Sequence, residues 1–135
     1  MDPIFTFILL LMNLSGTFTK YIYVDDKMDW LEAQSYCQQN YTDLAPVSTE
    51  KDVNKLQEEL SKHNTTQNVW IGLRFLPGNW LWVDGQEMDY KAWGQGGKPI
   101  CPQPNMKCGA LQVTGANKGA WEAHDCEERL HFVCY

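Results

Sequence analysis

Lys20 to Asp25 alternates aromatic and β-branched residues, Tyr21, Ile22, Tyr23 and Val24, and predicts a first strand that ends at the acidic pair Asp25-Asp26. Asp29 and Glu32 then stand at capping-box spacing, and Trp30, Ala33, Tyr36 and Cys37 fall on one face behind them. That pattern predicts a helix of about residues 30 to 40 with Cys37 turned inward. A second helix is signalled by Ser48-Thr49, with Glu50 and Asp52 suited to its N-terminal dipole and Val53, Leu56 and Leu60 forming one apolar stripe. It fades near His63-Asn64. Val69 to Leu73 is a compact apolar strand, and Trp80 to Val83 reads as its hairpin partner across Pro77-Gly78, followed by a turn at Asp84-Gly85. From Gly94 to Lys107 three glycines and three prolines exclude helix or central strand and predict a long loop. Strand patterning returns at Cys108 to Thr114 and at Leu130 to Cys134, and there is no internal repeat or heptad.

The 135 residues suffice for one domain with its own core, which six Trp, six Tyr and five Phe supply with bulky apolar surface. A formal charge of -6 argues against a nucleic-acid or anionic-membrane partner held by a general basic field. Residues 1–19 resemble a signal peptide. The apolar run Ile4 to Met12 has the length of a signal core and falls short of a bilayer span, Ser15, Gly16 and Thr17 follow it, and Asp2 stands where a basic residue is usual. A short signal anchor and a buried strand are the alternatives. Five cysteines with no C-x-x-C and no Cys/His pair at zinc spacing agree with export to an oxidising compartment, and from sequence alone leave 15 two-bridge patterns open.

Over residues 20–135 the motifs resemble, in order, those of the C-type lectin-like domain. Trp30 to Cys37 looks like that family's first helix, Leu44-Ala45 its following segment, Trp70-Ile71-Gly72-Leu73 its central strand, Trp82-Val83-Asp84-Gly85 its next turn and Phe132-Val133-Cys134 its close. The resemblance implies an α+β fold of two helices, small antiparallel sheets and a long loop. It also implies bridges Cys37–Cys134 and Cys108–Cys126, in the short form of the family. A bridge closing nearly the whole domain is also the one that removes most denatured-state entropy. Cys101 is then left over in the loop, free or in an intermolecular bridge that makes a disulfide-linked dimer; pairing it with Cys108 would strand Cys126.

Sugar-binding members of the family hold calcium with a Glu-Pro-Asn or Gln-Pro-Asp triplet in the long loop and an Asn-Asp pair after a Trp. Here, counting back from Cys108, the triplet proline matches Pro99, flanked by Lys98 and Ile100, and after Trp121 stands Glu122-Ala123. Between Asp89 and Glu122 there is no carboxylate but there are four lysines, Lys91, Lys98, Lys107 and Lys118. Calcium takes six to eight oxygen ligands, so no metal and no cofactor is expected. If calcium binds at all, Gln103, Asn105 and Glu122 are its ligands, through the near-match Gln103-Pro104-Asn105, and binding is no tighter than about millimolar.

His124-Asp125 reads as a solvated loop, and no nucleophile elbow or HExxH accompanies it, so no enzyme is expected. Asn40-Tyr41-Thr42 and Asn64-Thr65-Thr66 are glycosylation sequons at helix ends. The expectation is therefore a secreted, extracellular glycoprotein of immune-recognition type, binding a glycan or protein ligand through its long loop. Lys98 and Lys107 would supply charge, Trp93 stacking, and Gln103, Asn105 and Glu122 hydrogen bonds. The alternatives are a calcium-dependent carbohydrate-binding lectin and a structural or ice-associating protein.

Overall fold

The computed structural model describes residues 20–65, 67–76, 79–86, 93–94, 98–99, 106–114 and 118–135. Residues 1–19, read as resembling a signal peptide, and the loop residues Lys91, Cys101, Gln103 and Asn105 lie outside them. In chain order the elements are β1 (Ile22–Met28), α1 (Trp30–Asn40), α2 (Glu50–Leu60), β2 (Val69–Leu76), β3 (Asn79–Trp82), β4 (Cys108–Leu111), β5 (Trp121–His124) and β6 (Leu130–Cys134).

Both helices start as their caps dictate. Asp29 accepts from the Glu32 amide at 2.8 Å and Thr49 from the Asp52 amide at 3.1 Å, each satisfying a first-turn donor that the helix itself leaves unpaired. Trp30, Ala33 and Cys37 bury the inner face of α1, and Val53, Leu56 and Leu60 that of α2.

The strands form one sheet in the order β1-β6-β2-β4-β5, with β3 also on β2. Among the strands of the described residues the β2–β6 pair is parallel, with Val69 opposite His131 and Trp70 opposite Phe132, and the other pairs are antiparallel. The first strand runs to Met28, past the expected end at Asp25, because it lies at the sheet edge, where Asp25, Asp26 and Lys27 face solvent while their backbone stays extended. β4 stops at Leu111, short of Thr114, and a strand not expected from the sequence, β5, takes in His124 of the His124-Asp125 pair read as a solvated loop: Cys108 to Leu111 on β4 pairs His124 to Trp121.

Two apolar clusters are packed around the sheet. One holds Leu56, Ile71, Leu73, Trp80, Trp82 and Trp121, the other Trp30, Trp70, Cys108, Phe132 and the pair Cys37 and Cys134. Two buried indoles find backbone partners. Trp30 Nε1 donates to Ile71 O at 3.0 Å and Trp70 Nε1 to Met28 O at 2.9 Å, so α1 and the end of β1 are fastened to β2 without leaving a donor unpaired. Both implied bridges are formed, Cys37–Cys134 and Cys108–Cys126, with Cα separations of 5.4 and 5.2 Å. Among the described residues no helix is long and apolar enough to cross a membrane.

Candidate functional site

The long-loop face is built on tryptophans. Trp93 forms an isolated bridge with Trp121, and the Gly94 amide donates to Trp121 O at 3.0 Å, so the loop enters alongside β5. The Trp93 ring meets Trp80 at 5.0 Å and Trp121 at 5.8 Å between centroids, both edge-on, which fixes its plane while leaving the residue half-buried. Trp80 Nε1 donates to Pro99 O at 2.9 Å, tying the Lys98-Pro99 dipeptide to β3 with Lys98 exposed. Where the loop rejoins the sheet, the Phe75 amide donates to Lys107 O at 2.8 Å. Trp93 and the Lys98-Pro99 dipeptide are thus gathered around Trp80 and Trp121, while Lys107 stands just before β4 and Glu122 lies on the other face of β5.

Glu122 lies on β5 opposite Ala110, on the strand face away from Trp121. Its Oε2 accepts from Gln112 Nε2, and its Oε1 stands 3.1 Å from His124 Nε2. The other ring nitrogen of His124 meets Glu128 Oε2 at 2.7 Å, and Asn68 Nδ2 lies 3.0 Å from Nε2. The His124 side chain is only 13% exposed, with the Trp70 ring edge against it at 6.1 Å. His124 is therefore a strand residue between two carboxylates and not part of a solvated loop. This network escapes a reading of local patterns because Asn68 comes from 56 residues away; the four-residue spacing of His124 and Glu128 is the one signal within reach.

Among the described residues the Glu122 and Glu128 carboxylates are both set against the His124 imidazole and Lys98 adds an exposed ammonium on the loop side, a donor set that does not fit the all-oxygen shell of calcium. No group of three His, Cys, Asp or Glu side chains among the described residues is arranged to hold a metal. Gln103, Asn105 and Cys101 lie outside the described residues. Of the sequon asparagines, Asn40 ends α1 with its Nδ2 donating to Tyr36 O at 2.9 Å, and Asn64 is exposed just beyond α2.

A domain whose two bridges, indole-fastened helix and loop-bearing tryptophan cluster are arranged in this way has the fold of the C-type lectin-like class. Residues 26–135 match the family model described as the Lectin C-type domain, and the chain belongs to that family. It is similar to lithostathine-1-alpha of Homo sapiens, 32% identical over 118 residues that cover 84% of this chain and 69% of that protein. It is also similar to L-selectin of Rattus norvegicus, 28% identical over 85% of this chain but only 31% of the relative, so the chain spans about a third of that protein's length. The solved structure of human lithostathine superposes with a TM-score of 0.74 at 30% identity, covering 84% of this chain and 88% of the other. That of a Ca2+-dependent type II antifreeze protein in its Ca2+-free form gives 0.72 at 20% identity, over 84% and 88%, a likeness of fold alone.

Proposed function

We propose that this chain is a secreted recognition protein that binds a glycan or protein ligand through its long-loop face without calcium. The observation that carries the reading is the setting of Glu122, whose Oε2 accepts from Gln112 Nε2 and whose Oε1 lies 3.1 Å from His124 Nε2, so that an imidazole and an amide stand beside the carboxylate. Lys98, held by the Trp80 to Pro99 bond, and Lys107 give the face its cations, Trp93 its aromatic surface, and Gln103 and Asn105 its neutral hydrogen-bonders. An acidic saccharide or an acidic protein segment is the complementary ligand, met by charge-assisted hydrogen bonds and stacking. A leftover Cys101 in the same loop supports a disulfide-linked dimer that presents two such faces.

The test is calorimetric titration with calcium, followed by a glycan array probed with calcium and with chelator. The expected outcome is no heat at millimolar calcium and chelator-indifferent binding. Stoichiometric calcium binding with chelator-sensitive glycan signal would instead assign Gln103, Asn105 and Glu122 to a rebuilt calcium site. No binding to any saccharide or protein, with ice recrystallisation inhibited, would favour the ice-associating alternative.

A further inference from the structure

We propose that the first sugar of an N-glycan on Asn64 packs into a polar cavity of the domain and braces the end of α2 against the β1–β6 edge of the sheet. The proposal rests on the reading of the chain as a secreted glycoprotein. The cavity has a volume of about 430 Å³ and is lined by Tyr23, Asp25, His63, Asn64, Thr65 and His131. That volume lies within the range of small-molecule sites, and every lining side chain carries a hydrogen-bonding group.

Its walls come from three places in the chain. Tyr23 and Asp25 belong to β1, His131 to β6, and His63 to Thr65 form the exit from α2. His63 stacks on Tyr23 at 4.5 Å with a 27° interplanar angle, and His131 stands tilted 5.7 Å from the same ring. His131 Nδ1 is enclosed, makes no hydrogen bond among the described residues, and stops 3.6 Å from Asp25 Oδ1, beyond bonding reach. A pyranose offers what this lining lacks, hydroxyl and acetamido groups for the imidazole and carboxylate and a C–H face for the rings. Because the sugar would be tethered at the cavity rim, its effective concentration makes even a weak contact populated.

Asn40 is the internal contrast. Its Nδ2, the atom that would carry a sugar, already donates to Tyr36 O across the last turn of α1, whereas among the described residues the Asn64 side chain makes no hydrogen bond and lines the cavity. A glycan on Asn40 is therefore solvated, and one on Asn64 is structural.

The experiment compares wild type, Asn40→Gln and Asn64→Gln from glycosylating cells, and wild type trimmed enzymatically to the first N-acetylglucosamine. Each is weighed by mass spectrometry and unfolded thermally. The expected result is an occupied Asn64, a trimmed form as stable as the untrimmed one, and a Tm lower by about 3 °C or more in Asn64→Gln but unchanged in Asn40→Gln. Unglycosylated wild type and Asn64→Gln, refolded with both disulfides, must coincide, which separates the sugar from the side chain. His131→Ala must shrink the difference between occupied and unoccupied Asn64, and the N-acetyl methyl must show nuclear Overhauser contacts to Tyr23 or His63. An occupied Asn64 with no stability difference and no such contacts overturns the proposal and leaves the glycoprotein reading intact. An unoccupied Asn64, visible in the mass alone, overturns the proposal, and with Asn40 unoccupied as well it overturns the glycoprotein reading.

Discussion

A Cβ on Gly72 would lie 2.7 Å from Leu44 O and 2.8 Å from Val83 Cγ2, because the segment after α1 runs against the middle of β2 and the Gly72 amide donates to Ala45 O at 2.8 Å. Neither neighbour is a flexible chain end. Gly72→Ala is expected to lose about 1–3 kcal/mol of stability in urea unfolding. Tyr21 gives a pH signature. Burial, with the Asp52 carboxylate beside it, pushes its hydroxyl well above the usual tyrosine pKa of 10.0. A folded-state pKa above the unfolded one contributes stability that is complete below about pH 10 and is lost as pH rises through the folded value. Unfolding free energy should therefore fall with pH above about 10, and Tyr21→Phe should flatten that fall relative to wild type. At His124, a double-mutant cycle with Glu128→Gln should return a coupling of about 1 kcal/mol, since the imidazole is enclosed but Glu128 is 43% exposed.

At the scale of elements, the two bridges should differ in what they contribute. Cys37–Cys134 closes a separation of 97 residues and Cys108–Cys126 one of 18, so the loop-closure model gives about 4.7 and about 3 kcal/mol. Replacing each pair by alanine should lower the denaturant midpoint more for the first. The helices were legible in the sequence because cap and stripe agree: Asp29 and Glu32 bracket the first turn of α1, and Val53, Leu56 and Leu60 fix the buried face of α2. β1 was legible only where its neighbour residues are apolar, since the rest is a charged edge. β5 was not, because Trp121 is its one buried residue and its strand conformation comes from pairing with β4. The site divides in the same way. Glu122 can be read as the surviving carboxylate, but its capture by Gln112 and His124 depends on how the β4–β5 connection folds.

For the whole molecule, an acidic chain of net charge -6 carries a local excess of lysine around its long loop, so ligand binding should be charge-selective. Lys98→Glu with Lys107→Glu should weaken binding of an acidic ligand at least tenfold at low salt and reduce its salt dependence, measured by titration at two ionic strengths. Unchanged affinity would sink the assignment of these lysines. The order of strands was not legible, because the parallel contact of Val69 and Trp70 with His131 and Phe132 joins segments far apart in sequence that no spacing rule connects.

The Cys37–Cys134 bridge also decides how the domain bears mechanical load. Ile22 lies opposite Cys134 in the β1–β6 pair, so a pull on the two flanks peels that ladder apart one residue at a time. Peeling stops at Cys37, where the covalent path passes directly to Cys134. Residues 38–133, which include the loop face and the parallel strand pair, are off the line of tension. A ligand held on that face would feel a rigid body at the end of a short extensible leash, until a reductant cuts the shortcut and puts the whole domain in series with the force.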